Sequence, residues 1–374
     1  MKKPLFFLLI LLLTTSCGTS KKIYDDTLRI TFLDDFIIPA NFQFEGSTVG
    51  GLSGIDYSNG IYHLVCDHPG NPRFYTASIE LNGKKIDTVI ITSVTSLDRT
   101  SSFLKDKTLD LEAIRYNEQT DRIVLTSEGS IQNGKDPSIF EVDKNGNYIS
   151  HYDLPGYFLV EGEQQPRNNG VFEGLTESFD TNAWWAGMEL PLVKDGSKPK
   201  LFYTQSPIRI TRFEKETREA SRQFVMQLEN ITKIPWLYFA VNGLTELLEF
   251  SPDRFLVMER AFSAGHGTNG NTVRLFDVDA RTSTNTLGHE NLRKADFREA
   301  TKKLVFDFKR VRKDLKERII DNIEGMTFGP DLPNGNKTLV LVSDDNFNSL
   351  GKQITQIILL EVEIREPGIT KIKQ

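Results

Sequence analysis

The stretch DNIEGMTFG, residues 321–329, has weaker variants along the rest of the chain, and laying them over one another decides the fold. Five segments fall into one register: GLSGIDY (51–57) with LVCD (64–67), DLEAIRY (110–116) with LTSE (125–128), VFEGLTES (171–178) with AGME (186–189), VNGLTELLEF (241–250) with LVMER (256–260), and NIEGMTFG (322–329) with LVSDD (341–345). The first column then holds Ser53, Glu112, Glu173, Asn242 and Glu324, and the second holds Asp67, Glu128, Glu189, Glu259 and Asp344. First-column spacings of 59, 61, 69 and 82 residues are long for a solenoid and suit four-stranded propeller blades with loop insertions.

The rest of the pattern agrees. Short runs alternate apolar and polar residues, among them RIVLTSE (122–128), SIFEVD (138–143), TVRLFDVD (272–279) and QIILLEVEI (356–364). Turn dipeptides such as Asn59-Gly60, Asn82-Gly83, Asn145-Gly146 and Asn334-Gly335 bound them, as in an antiparallel all-β chain. The last unit ends one strand short, and LRITFLDDFII (28–38) can supply it, closing a five-bladed β-propeller by joining the two ends of the chain. Six blades are the alternative, with an irregular blade inside 190–240 or 262–320. Two charged stretches, 290–304 and 311–319, predict surface helices.

Outside the repeats, residues 1–17 (MKKPLFFLLILLLTTSC) read as a signal peptide: two lysines, an apolar run from Leu5 to Leu13, then small residues. The ending LLTTSC resembles a bacterial lipobox, which would make Cys17 the lipidated first residue of the mature chain. Residues 18–27 form a polar tether, 28–366 the propeller and 367–374 a tail. With Cys17 lipidated, Cys66 is a single thiol without an internal disulfide partner. Without residues 1–16 the chain has 43 basic and 51 acidic side chains, a net charge near −8. No basic domain or aromatic-laced basic stripe speaks for nucleic acid. The expectation is a monomer on the periplasmic side of a bacterial membrane, touching it only through the anchor.

In each unit the first-column residue opens one strand and the second-column residue closes the next, so the pair meets at one end of a hairpin. Opposed residues there have Cβ atoms about 4.5–5.5 Å apart. A propeller gathers these ends at one mouth of its channel, bringing together Asp67, Glu112, Glu128, Glu173, Glu189, Glu259, Glu324 and Asp344. So many carboxylates need raised pKa values, arginines or cations among them. Oxygen-only ligands favour a hard ion such as Ca²⁺. The structural reading of the same acids is that they join blades by accepting backbone N–H bonds.

GGLSGIDY, DLEAIRY, TSEGS, NNGVFEGLTES, FLVMERAF, DNIEGMTFG and LVSDDNF, taken in order, resemble the bacterial family described as having esterase-like activity of phytase, over about residues 45–362. The resemblance implies a calcium-bearing propeller mouth, phosphoester hydrolysis with a metal-activated water, and a small phosphorylated or anionic ligand. It also implies Arg73 and Arg260 as anion contacts. The alternatives are a non-catalytic ligand- or protein-binding propeller with a structural metal, and a calcium-dependent lactonase or esterase.

Other motifs count for less. GHGTNG (265–270) matches a dinucleotide fingerprint but is followed by a strand, so it reads as a loop; His266 within it is the one histidine kept as a substrate-binding candidate. DKNGNY (143–148) reads as a hairpin turn and not a calcium loop. No G-x-S-x-G elbow is present. Trp184 and Trp185 read as blade packing, and Cys66 as a buried small hydrophobe.

Overall fold

The computed structural model describes residues 28–348 and 352–365. The signal-like segment with Cys17, the tether, residue 366 and the tail 367–374 lie outside them. Strand β1 (Leu28–Ile38) is followed by a small hairpin, β2 (Gln43–Phe44) and β3 (Ser47–Thr48). Blade 1 comprises β4 (Leu52–Ser58), β5 (Ile61–Cys66), β6 (Arg73–Asn82) and β7 (Lys85–Ser96). Blade 2 comprises β8 (Leu111–Asn117), β9 (Arg122–Ser127), β10 (Ser138–Val142) and β11 (Tyr148–His151). Blade 3 comprises β12 (Phe172–Glu177), β13 (Ala183–Met188), β14 (Pro207–Glu214) and β15 (Ala220–Gln227). Blade 4 comprises β16 (Ala240–Ser251), β17 (Arg254–Ser263), β18 (Asn271–Asp279) and β19 (Thr301–Asp307). Blade 5 comprises β20 (Asn322–Asp331), β21 (Lys337–Asp344), β22 (Thr355–Ile364) and, as its outermost strand, β1.

The protein is therefore a five-bladed propeller closed by its first strand, which pairs antiparallel with β22 from Leu28↔Ile364 to Ile38↔Thr355. Each of the five apolar clusters lies between two adjacent blades. Phe172, Trp184 and Phe213 of blade 3 meet Ala113, Val124 and Ile139 of blade 2, and Leu248 and Leu256 of blade 4 meet Met326 and Leu341 of blade 5. Alternation along each strand thus feeds one cluster from each face of a blade, which is why the runs are apolar on both sides.

The two predicted helices do not form. Among the described residues there is no α-helix, and none is long and apolar enough to cross a membrane. Residues 290–304 hold a short 3-10 turn (Leu292–Lys294), an extended stretch and the edge strand β19. Ala300 N–H donates to the Val225 carbonyl of β15 on the neighbouring blade, as Thr286 N–H, just before the stretch, does to the Gln223 carbonyl. Residues 311–319 fold as turns, where Lys316 N–H donates to the buried carboxylate of Asp35. The charges that read as a helix surface serve instead as the solvent face of edge segments.

All five inner strands share a bulge. Each inner strand gains one residue over its partner, between Leu52 and Gly54, Leu111 and Ile114, Phe172 and Gly174, Leu244 and Glu246, and Ile323 and Gly325. After the bulge, four blades carry a small residue because the inner strands nearly touch at the axis. A Cβ on Gly325 would sit 2.8 Å from the Gly54 Cα, and one on Gly54 would sit 2.7 Å from the Glu112 carbonyl oxygen. Blade 4 carries Glu246 there instead. Its carboxylate takes a 2.8 Å bond from Arg115 of β8, and accepts from the N–H of Leu175 of β12 (3.0 Å). Arg115 in turn donates to the carbonyls of Ile55 of β4 (2.6 Å) and Met326 of β20 (3.4 Å). One buried ion pair thus touches the inner strands of all five blades.

Glu246→Gln should leave the Arg115 guanidinium buried without its counter-charge and cost about 3–5 kcal/mol in urea unfolding. A loss below about 1 kcal/mol would show that Asp56, 3.9 Å from Arg115, carries the charge by itself.

Candidate metal centre at the channel mouth

The bulges bring the acids to one mouth and correct the register expected for blade 4. Counting from the bulge, the first column is Ser53, Glu112, Glu173, Thr245 and Glu324, with Thr245 where Asn242 was expected. The second column follows the residues paired with Leu52, Leu111, Phe172, Leu244 and Ile323, giving Asp67, Glu128, Glu189, Arg260 and Asp344. Arg260 therefore takes the place expected for Glu259. Glu259 faces the other side of β17 and is consumed by Lys302 Nζ (2.6 Å), Asn242 Nδ2 (2.7 Å) and Glu229 N–H (2.9 Å), so it leaves the ligand pool. Because the first-column residues occupy bulges, they are not directly opposed to the second column as simple pairing requires; in blade 5 it is Asn322 that opposes Asp344.

The ring has two unlike halves. On the blade 4–5 side, Arg260 donates to Glu324 (3.0 Å), and Asn322 Nδ2 bridges Glu324 (2.9 Å) and Asp344 (3.0 Å). The stem of Glu189 lies against Gly243, opposite Arg260, where any Cβ would come within 2.4 Å of it. On the blade 2–3 side no guanidinium intervenes. Oxygens of Asp110, Glu112 and Glu128 lie within 4.8 Å of one another, as do those of Glu128, Glu173 and Glu189. Glu128 belongs to both triads and also accepts from the N–H groups of Gly170 (2.7 Å) and Val171, tying blade 2 to blade 3. It combines the ligand-type and the blade-joining roles in one carboxylate. Among the described residues, no hydrogen-bond donor points at the carboxylates of Glu112, Glu173 or Glu189.

Electrostatics reflect this crowding. Burial, then Glu173, Asp110 and Glu128, hold Glu112 well above the usual carboxylate range; burial, then Glu189 and Glu128, do the same to Glu173. Burial is the first cause for Asp67, Glu128 and Glu324, each pushed up to about 8, for Glu189 at about 7 and for Asp110 at about 6. Asp344 is raised well above its ordinary value by burial and then by Glu324. Burial works against the charge on Arg260, but Glu324, Glu189 and Glu173 outweigh it and hold the guanidinium protonated. Buried carboxylates crowded by one another, with oxygen as their only donor atom, fit a hard divalent cation such as Ca²⁺. The residues that fit best are Asp110, Glu112, Glu128, Glu173 and Glu189.

The other sequence candidates lie elsewhere. Arg73 is buried outside the ring, between β3 and the β5–β6 loop. His266 sits in an exposed loop, its Nε2 2.9 Å from the Ile234 carbonyl and its ring 4.6 Å from Trp236. Trp184 and Trp185 are core residues, as is Cys66, whose thiol burial pushes up to about 12. Residues 143–148 make the expected hairpin turn, with Asp143 accepting from the N–H groups of Asn145 and Asn147. Asp110 was missed because it stands two residues before the first-column Glu112 and no other unit has an acid at that position.

A five-bladed propeller with a carboxylate-lined mouth defines the class. Within it, this chain belongs to the Phytase-like family described as Esterase-like activity of phytase, which matches residues 47–347 and so includes every acid-bearing bulge. No curated protein matches it significantly. Among solved structures, the exo-β-1,3-galactanase of Phanerochaete chrysosporium is similar at 10% identity and a TM-score of 0.47, over 87% of this chain and 64% of the galactanase. The chain thus spans less than two thirds of that enzyme. The GH32 β-fructofuranosidase of Bombyx mori follows at 11% identity and 0.45, over 83% and 60%. The Malassezia sympodialis allergen Mala s 1 has 10% identity and 0.40, over 84% and 79%.

Groups whose pKa is raised by folding add stability below their unfolded values near 4 and lose it as pH climbs through 7 to 8. Chelator-treated protein should therefore melt at progressively lower temperature from about pH 5 to about pH 9, and Ca²⁺ should restore the alkaline end. A flat profile without metal would mean that the carboxylates are already compensated.

Proposed function

We propose that the mouth binds a hard divalent cation, with Ca²⁺ the best match, and hydrolyses a phosphoester there. The observation that carries this is the pair of carboxylate triads sharing Glu128, none of whose five acids makes an ion pair among the described residues. A bound ion would neutralise phosphate charge and make a water more acidic. Asp110, Glu112, Glu128, Glu173 and Glu189 would hold it. Arg260 faces them across the channel; only one of its N–H groups is committed to Glu324, and its buried Nε has no partner, so it can receive an anionic group. Asn322 keeps Glu324 and Asp344 in place behind Arg260.

A second reading is a binding propeller with a structural ion. It is favoured by the scarcity of cations: Arg260 is the one basic residue in the two columns. Under either reading, residues 1–17 support a lipid on Cys17 and attachment to a bacterial envelope membrane through that anchor, with a monomeric propeller facing the periplasm.

Residues 18–374, stripped of metal, should hydrolyse a generic aryl phosphate only after Ca²⁺ is added. Glu173→Gln should lower that rate at least about a hundredfold while keeping the fold, since it removes a ligand charge. Calcium-dependent stabilisation without turnover would select the binding propeller. Indifference of both stability and activity to divalent ions would remove the metal altogether.

A further inference from the structure

Two loops stand on the mouth side of the propeller, beyond the acid ring. One joins β13 to β14 (189–206) and the other joins β15 to β16 (228–239). β16 and β17 continue from the ring pair Gly243↔Arg260 to Ala240↔Ser263, which lies three residues and about 10 Å farther out, and carry the second loop as a tip. All seven large hydrophobic side chains more than 56% exposed among the described residues lie on these loops: Phe202 and Tyr203 on the first, Ile234 and the run 236–239 on the second. Single exposed apolar residues are ordinary on a surface, but seven on two adjoining loops mark a contact site.

The tip is held in shape by its own bonds. Trp236 N–H donates to the Ala264 carbonyl (2.9 Å) and Ala264 N–H to the Phe239 carbonyl (2.9 Å). Lys233 Nζ caps the carbonyls of Asn269 (2.6 Å) and Asn271 (2.8 Å), and Arg312 Nη2 caps that of Thr268 (3.0 Å). Ile231 N–H donates to the Lys200 carbonyl (2.9 Å), which joins the two loops. Tyr238 is fully exposed, and its φ of 59° lies in the left-handed region that a bulky side chain enters only at a cost. The backbone is thus strained to hold an aromatic ring outward, away from every packed surface of its own chain.

The flanks of the tip are basic. Segments 197–206, 230–240, 264–270 and 308–313, the last brought to the tip by the bond from Arg312 to Thr268, carry seven lysines and arginines and no acid, in a chain of net charge −6. Of the acids near their ends, Asp195 is paired with Arg209, Glu229 with Lys302 and Asp307 with Arg274. A second copy of the chain would set these like charges against each other, whereas an anionic surface complements them. Side chains that project outward make no concave site for a small ligand. Trp, Tyr and Leu above a basic rim suit the interface of a bilayer.

We propose that this tip docks on the surface of an anionic lipid bilayer, with Trp236, Leu237 and Tyr238 entering the boundary between headgroups and acyl chains and the basic flanks lying on the lipid phosphates. The described chain starts at Leu28, at the end of β1 away from the mouth, so this contact is separate from the one proposed through Cys17. It requires no metal in the acid ring. Docking also turns the mouth toward the headgroups, so under the phosphoesterase reading, on which this extension rests, the substrate is a phosphoester presented at a membrane.

Residues 18–374 lack Cys17, so their binding to vesicles reads the tip alone. Trp236 is the reporter, since the other two tryptophans, Trp184 and Trp185, are core residues. In chelator, which keeps calcium from bridging carboxylates to headgroups, vesicles of phosphatidylglycerol and phosphatidylethanolamine should sediment the protein and shift the Trp236 emission to the blue. Pure phosphatidylcholine vesicles should bind it at least about tenfold more weakly, and Lys309→Glu with Lys313→Glu should remove that preference. Leu237→Ser with Tyr238→Asn should weaken binding to the anionic vesicles at least about tenfold while holding or raising the melting temperature, because asparagine tolerates the left-handed backbone that tyrosine strains against. Absence of vesicle binding, binding that both double variants leave unchanged, or equal binding to the two kinds of vesicle overturns the proposal. So does a concentration-dependent dimer that the Leu237→Ser, Tyr238→Asn variant dissolves, which would make a second copy the occupant. Vesicle binding without calcium-dependent turnover of a phosphoester would instead count against the phosphoesterase reading alone.

Discussion

The Arg115–Glu246 pair occupies the place where a propeller of five blades has no room for an apolar core. Inner strands are sheet edges, and at the axis their N–H and C=O groups face each other without a ladder partner. Gly54, Ala113, Gly174 and Gly325 let these edges close in, and the ion pair supplies the missing donors and acceptors: two carbonyls on other strands receive Arg115 and one N–H on another strand finds Glu246. A buried ion pair is a weak source of net stability. Its value here is geometric, since a single guanidinium and a single carboxylate fix five strands in one register.

That register determines what the mouth displays. The bulge preceding each small residue turns one side chain toward the channel opening, and four of the five blades place Ser or Glu there while blade 4 places Thr245. Blade 4 departs most from the others: it gives the axis an acid and the second column Arg260, and it shares with blade 1 a hydroxyl in the first column. The acid ring is consequently polarised, with a neutralised half on blades 4 and 5 and a cation-seeking half on blades 2 and 3. A closed set of identical blades would have no such direction.

The same crowding that raises the carboxylate pKa values makes the charged form of the mouth costly to hold together. Packing between blades supplies the stability that such a site consumes, through apolar clusters in which a large aromatic from one blade is buried against the aliphatic face of the next. Glu128 shows how closely the two demands are joined. Its backbone bonds couple blades 2 and 3 while its charge belongs to both carboxylate triads.

Much of this was legible in the chain itself. Strand alternation, Asn-Gly turns and the repeated acid-small-aliphatic signature determined a five-bladed propeller, its closure by residues 28–38, and the acids from Asp67 to Asp344, Glu259 excepted, as a common mouth. These features are local in sequence, and periodicity transmits them. The blade 4 register was not legible, because VNGLTELLEF offers two alignments and only pairing of Leu244 with Glu259 shows that Thr245 and Arg260 face the mouth. The stretch 290–304 read as a helix because its charge pattern carries no record of the β15 edge it joins. The pairing of Arg115 with Glu246 across the axis also had to await the tertiary structure. It depends on residues far apart in the chain that meet only when the ring closes, and a buried charge acquires its meaning from the partner it meets there.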